Sequence, residues 1–269
     1  MSRIAVIAGQ GRLAPAVAAA LDNPAIFALE GFAPEGLSAT PFRLERLVPF
    51  LDELLAQGID RVVFAGAIRR PRLEPEAFDP RTAQLVPRIL SAMQSGDDGA
   101  LRAVLDVFEE NGLTVCSVSE IAPDLIPAEG ILTGSPSQAD RRDVGLAAKI
   151  VKQMGPLDLG QGAVVAQGLC LAIETLPGTA AMLDFVAGHR DLRPYAAGAR
   201  GVLYKAPKPG QDRRVDLPTI GPDSIDQAAA ADLAGIAWQA GGVILLDQAE
   251  TLRKAKAAGL FLWAAPPLD

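Results

Sequence analysis

The densest collection of reactive side chains in this sequence falls in residues 204–221, YKAPKPGQDRRVDLPTIG. Lys205, Lys208, Arg214 and Asp216 combine cations with a carboxylate there. Splitting a pyrophosphate needs that combination, because cations spread the charge of the phosphoryl oxygens while a carboxylate holds a divalent metal or orients water. If residues 214–217 are extended, the two-residue period of a strand puts Arg214 and Asp216 on one face and packs Val215 and Leu217 inward. Pro207, Pro209 and Pro218 would stiffen the segment before a ligand arrives. An ordinary loop of this length is a solvated connection; the apolar, proline-braced frame is what points to function.

A second candidate is Ala8-Gly9-Gln10-Gly11-Arg12-Leu13-Ala14, a G-x-G-x-x-A pattern between an apolar run and an alanine-rich helix. Amides at such a helix start favour phosphate, being unpaired donors at the positive end of the helix dipole. Gly9, Gln10 and Gly11 are therefore candidate phosphate contacts, although a plain chain reversal uses the same glycines. Glu30 sits where a ribose-binding acid stands in a dinucleotide fold, which keeps an NAD-dependent oxidoreductase open as an alternative. A non-catalytic nucleotide-sugar-binding protein that grips phosphate without cleaving it is another.

Gln161, within Leu159-Gly160-Gln161-Gly162, leads into a buried strand from which it can reach a ligand. Thr179, after Glu174-Thr175-Leu176-Pro177-Gly178, opens a helix where it either caps the first turn or meets phosphate. Arg69 and Arg70, at the carboxyl end of a predicted strand, read as surface residues. Ser224 in Ser224-Ile225-Asp226-Gln227 reads as a helix cap and not as a nucleophile. The only histidine, His189, has no sequence neighbours with which to build a triad or a metal cluster.

These groups have to be placed by a chain of 269 residues, long enough for two domains. Apolar runs at 4–8, 25–29, 61–65 and 113–118 predict strands, and the intervening helical patterns at 13–21, 44–56 and 81–111 imply a parallel sheet covered on both faces. The last helical stretch is broken at Ser95-Gly96-Asp97-Asp98-Gly99. Prolines and glycines between 123 and 136 read as a linker. Beyond it, helices are expected at 138–154, 180–186, 224–233 and 248–258, with strands at 163–166, 169–174, 201–204, 235–238, 243–246 and 260–263. The fold class is α/β, with domains at 1–134 and 135–269.

Hydrophobic residues make up 49% of the chain and aromatics only 5%, so aliphatic side chains must fill the cores. Cys116 and Cys170 are too few for a disulfide framework or a zinc site and both read as core residues, which fits a reducing compartment. A net charge of −7 with no basic run removes the electrostatic basis for nucleic-acid binding. No apolar run is long enough to span a bilayer, and the first residues enter a strand pattern instead of a signal peptide, so a cytoplasmic protein is expected.

Taken together these segments resemble the UDP-2,3-diacylglucosamine pyrophosphatases of lipid A biosynthesis, the type unrelated to the calcineurin-like phosphoesterases. The resemblance spans nearly the whole chain. It is carried by Ile7 to Gly11, Phe64-Ala65-Gly66, Gly96-Asp97-Asp98, the Gly-Gln-Gly-Ala-Val-Val of residues 160–165, and above all the run from Lys205 to Gly221. It implies an N-terminal Rossmann-like domain, a C-terminal α/β domain and a substrate cleft between them. It also implies dependence on magnesium or another divalent cation, with UMP and 2,3-diacylglucosamine 1-phosphate as products. The critical aspartate of the family falls on Asp216, as catalytic residue and metal ligand, and Lys205, Lys208, Gln211, Arg214, Gln161 and Thr179 fall in matching segments as substrate contacts. A lipid-linked nucleotide sugar would be the partner, met at the inner membrane surface, its acyl chains lined or gated by the helix near 180–186 and the linker; a homodimer is left open. This chain departs from the family where Gln10 replaces a frequent glycine and Ala67 a frequent asparagine.

Overall fold

Apolar runs separated by alanine- and leucine-rich stretches build the first unit, in a computed structural model that describes residues 3–68, 71–93 and 97–267. Its elements are β1 (Arg3–Ala8), α1 (Leu13–Ala19), β2 (Ala25–Leu29), β3 (Thr40–Phe42), α2 (Leu47–Ala56), β4 (Ile59–Ala65), α3 (Pro80–Ala83), α4 (Val86–Met93), α5 (Asp97–Glu110), β5 (Thr114–Cys116) and α6 (Val118–Ile121). The strands form one all-parallel sheet in the order β3-β2-β1-β4-β5. Val6 and Ile7 of β1 and Val62 and Val63 of β4 are buried, as strands covered on both faces require. The repeating apolar positions of α2 bury Leu47, Val48, Leu51 and Leu54.

Strand order reverses beside β1, whose loop lies against the loop following β4. Gly9 donates to the Ala65 carbonyl at 2.8 Å, and Gln10 and Ala67 exchange both backbone hydrogen bonds at 2.9 and 3.0 Å. That approach depends on glycine. A Cβ on Gly9 would lie 2.7 Å from the Ala67 carbonyl oxygen, and one on Gly66, whose φ is +108°, 2.6 Å from the Gly9 carbonyl carbon. Arg69, Arg70 and residues 94–96 lie outside the described residues, as do the side chains of Asp97 and Asp98. The break expected near Ser95 and Gly96 therefore receives no structural account.

Contacts divide the chain between Pro123 and Asp124. The second unit contains β6 (Gly130–Thr133), α7 (Gln138–Met154), β7 (Gly162–Ala166), β8 (Leu169–Ile173), α8 (Gly178–Gly188), β9 (Val202–Lys205), β10 (Thr219–Ile220), α9 (Pro222–Ala230), β11 (Gly235–Gln239), β12 (Ile244–Leu245), α10 (Gln248–Ala257) and β13 (Phe261–Ala265). A mixed sheet runs β6-β13-β11-β9-β7-β8, parallel through β13, β11 and β9 and antiparallel towards both edges; β10 and β12 pair separately. The stretch read as a linker thus contributes an edge strand, β6. Its four residues pair with β13 across a register shift, a long-range contact that local periodicity does not announce.

One face of this sheet packs Val144, Ala147 and Val151 of α7 on Val165, Val202 and Tyr204. The other packs Leu183, Val186, Ile225 and Ala228 on Val164, Leu203 and Trp238. Ser137 starts α7 by accepting from the Asp140 amide, while Asp140 accepts from the Ser137 amide. Two local readings need correction. Cys116 is buried, but Cys170 is exposed on the edge strand β8. Ser224 is not the N-cap of α9: the helix has Pro222 as its first residue and Gly221 as its N-cap, and Ser224 Oγ accepts from the Gly221 amide at 3.3 Å.

Two glycine replacements should part company in urea denaturation of the full chain. Gly66→Ala must strain or separate the two loops and should cost about 1–3 kcal/mol. Gly145→Ala lies within α7 with nothing inside 4 Å of the new methyl, and should stabilise by roughly 0.5–1 kcal/mol. Equal midpoints for the two variants would refute this account of the crossover.

Candidate active site

Alternation along β9 decides where its lysine goes. Val202 and Tyr204 face α7 and Leu203 faces α8 and α9, so Lys205 leaves the strand end on the α8 side. There it is 6% exposed, and its Nζ donates to Thr179 Oγ1 at 2.7 Å. Thr179 in turn donates to Glu174 Oε1 at 2.7 Å, and Glu174 Oε2 lies 3.7 Å from Lys205 Nζ. Glu174 Oε2 is buried and accepts no hydrogen bond among the described residues. Burial pushes the Lys205 ammonium below the ordinary lysine range; the charges of Glu174 and Asp216 oppose that shift.

The chain beyond β9 folds as a loop and not as a strand. Ala206 donates to the Gln161 carbonyl at 3.0 Å, so Gln161 anchors the loop start through its backbone. Lys208 Nζ pairs with Asp158 Oδ1. Gln211, 8% exposed, accepts from the Lys208 amide at 2.8 Å through Oε1 and donates to Asp216 Oδ2 through Nε2. The two-residue alternation expected over 214–217 fails. Val215 and Asp216 both donate to the Asp212 carbonyl at 3.3 Å, while the Asp212 carboxylate takes the Arg214 amide at 3.0 Å and its guanidinium at 2.7 Å. An aspartate opening a turn collects the amides that follow it, and here that local gain outweighs an extended course. Arg214 is thereby folded onto Asp212. The charge of Asp216 also reaches Lys205.

Lys205, Thr179 and Glu174 thus form one bonded group and Asp216, Gln211 and the Lys208 amide another, and the charge of Asp216 is felt at Lys205. Gly9, Gln10 and Gly11 belong to the first unit. The Gly9 and Gln10 amides, expected to face phosphate, are already engaged by the Ala65 and Ala67 carbonyls, and the Gln10 side chain is exposed. Glu30 lies 3.4 Å from Arg43 Nε. His189 stacks on Phe185, its Nδ1 2.7 Å from the Phe185 carbonyl oxygen.

Sequence reasoning missed Glu174 as a member of the site. Its signal was the pair Gly160 and Gly162: a Cβ on Gly160 would meet the Glu174 carbonyl oxygen at 2.3 Å, and one on Gly162 the Glu174 Oε2 at 2.8 Å. Among the described residues, no three His, Cys, Asp or Glu side chains are grouped to enclose a metal. Magnesium does not need such a cage, since it commonly takes one or two carboxylates with phosphate oxygens and waters filling the rest. Asp216 offers a carboxylate of that kind.

Comparison with known proteins covers both units. Residues 3–125 match the LpxI N-terminal domain family and residues 128–263 the LpxI C-terminal domain family. The chain is 37% identical over 278 residues to a protein of Caulobacter vibrioides named UDP-2,3-diacylglucosamine pyrophosphatase LpxI, with 100% of this chain and 99% of the relative covered.

Titration of Lys205 checks the electrostatics directly. Because burial favours the neutral amine, the Lys205 ammonium should be lost on raising the pH before exposed lysines lose theirs. In a carbon-13 NMR titration of lysine Cε groups, the resonance missing from Lys205→Met should move first. A Lys205 resonance that moves with or after the exposed lysines would contradict the buried placement.

Proposed function

This chain belongs to the LpxI family, and from that premise we propose that it hydrolyses the pyrophosphate of UDP-2,3-diacylglucosamine in lipid A synthesis, releasing UMP and 2,3-diacylglucosamine 1-phosphate. The observation that carries the reading to particular residues is the buried Lys205, tethered at its strand end and subject to the charge of Asp216.

Water adds across the P–O–P bridge in this reaction, one oxygen being transferred to phosphorus as the bridging bond breaks. Negative charge grows on the phosphoryl oxygens, and a fixed ammonium in a site shielded from water stabilises it more strongly than a solvated one. Lys205 takes that part. Asp216, held by the Gln211 amide, orients the incoming water and receives its proton. We assign Asp216 as the carboxylate that would hold magnesium, which when bound would neutralise phosphate charge. Gln161, Lys208 and Arg214, spread over the surrounding loop, are proposed to seat the nucleotide sugar. The glycine loop is given no phosphate contact through Gly9 or Gln10, because those amides have backbone partners.

Acyl chains need an apolar environment, and the polar centre has one beside it in sequence. Leu176, between Glu174 and Thr179, is 95% exposed, and Leu157, next to the Lys208 partner Asp158, is 71% exposed. No helix among the described residues is long and apolar enough to cross a membrane. We therefore propose a cytoplasmic enzyme that meets its lipid-linked substrate at the inner membrane surface through these leucines.

Phosphorus NMR of the protein with UDP-2,3-diacylglucosamine and magnesium should show UMP appearing; an unchanged diphosphate signal would overturn the assignment. Asp216→Ala should reduce turnover by roughly a hundredfold or more while UMP affinity, measured by calorimetry, changes little. A variant with normal turnover removes Asp216 from the chemistry. Leu176→Ser should weaken co-sedimentation with phospholipid vesicles, and unaltered sedimentation would exclude that leucine from the membrane contact.

A further inference from the structure

We propose that Glu174 is a positioning residue of this site, which fixes the Lys205 ammonium twice: directly across 3.7 Å, and through the Thr179 hydroxyl by two hydrogen bonds of 2.7 Å. The inference rests on the reading of Lys205 as the group that faces the diphosphate. Hydrogen-bond chemistry sets the direction of the relay. An ammonium only donates and a carboxylate only accepts, so the single hydroxyl proton of Thr179 must go to Glu174 while its oxygen receives Lys205. Thr179 then has no proton left for a phosphate oxygen. Its part is to transmit the position of Glu174 to Lys205.

The surrounding backbone is shaped to admit this carboxylate. Glu174 follows directly on β8 and its amide donates to the Gly162 carbonyl at 2.8 Å; a Cβ on Gly162 would lie 2.8 Å from its Oε2, so glycine there leaves room for the carboxylate, while glycine at 160 leaves room for its main-chain carbonyl. Thr179 lies at the second position of α8, so the tether joins the β8 end, the α8 start and the β9 end. A lysine carries four flexible side-chain torsions, and a free one would have to be ordered each time substrate binds. Holding it beforehand removes that cost from the reaction. Glu174 Oε2, buried without a hydrogen bond, is the acceptor that stays pointed at the ammonium.

A double-mutant cycle tests this with the full chain and UDP-2,3-diacylglucosamine. Glu174→Gln alone should lower kcat about tenfold, within the range of coupling seen between contacting groups, with a much smaller change in KM. In a Lys205→Met background the same replacement should cost nothing more in residual single-turnover rate. It should also raise the melting temperature relative to Lys205→Met alone, because it removes a buried carboxylate that has lost its cation. Costs that multiply in the double variant, together with a lower melting temperature, would overturn the proposal. If the unaltered protein releases no UMP, the functional reading fails, yet the melting temperatures still decide whether Glu174 and Lys205 act as a pair. Should Glu174→Gln fail to fold, Thr179→Val and Thr179→Ser replace it: serine should keep most of the turnover and valine lose it, and equal losses would count against the relay.

Discussion

Taking a lysine ammonium out of water at the end of an internal strand is the constraint around which the second unit is arranged. Desolvation of such a charge costs several kcal/mol unless partners of opposite charge and good geometry replace the solvent. Lys205 has them in Thr179 and Glu174, with Asp216 adding its charge. Those partners impose conditions of their own. The Glu174 carboxylate fits against glycine at 162, and Asp216 accepts from Gln211, which in turn accepts from the Lys208 amide. The motif-rich segment after β9 therefore has a structural logic that precedes any substrate: Lys208, Arg214 and Asp216 are each seated by a neighbour before a phosphate arrives.

The glycine loop of the first unit illustrates the opposite case. A G-x-G turn between a strand and a helix at the point where strand order reverses has the sequence form of a phosphate cradle. Its Gly9, and Gly66 in the loop after β4, are explained by backbone packing alone, because the two loops cross too closely for side chains. Gln10 and Ala67, which stand at the crossing of the two loops, exchange backbone hydrogen bonds. A main-chain bridge of this kind is indifferent to the side chains it carries.

Much of the architecture was legible in the chain because its determinants are local and periodic. The buried runs of β1, β4 and β7 and the apolar stripes of α2 and α7 state their period plainly. Lys205 and Asp216 were legible by residue type. Their surroundings were not, since residues 214–217 were expected to be extended and Asp212 turns them into a loop. Glu174 reaches Lys205 only because β7 lies between β8 and β9, a tertiary fact. The same holds for β6, whose four residues gain their strand form from β13.

In the proposed reaction the Lys205 ammonium is in direct contact with the phosphate of a bound nucleotide. Solid-state NMR of nitrogen-15 lysine protein in complex with UMP measures it, through the dipolar coupling between lysine Nζ and phosphorus. A strong coupling that vanishes in Lys205→Met is the expected result. Coupling that is absent, or that survives the loss of Lys205, would place the phosphate elsewhere and contradict the account.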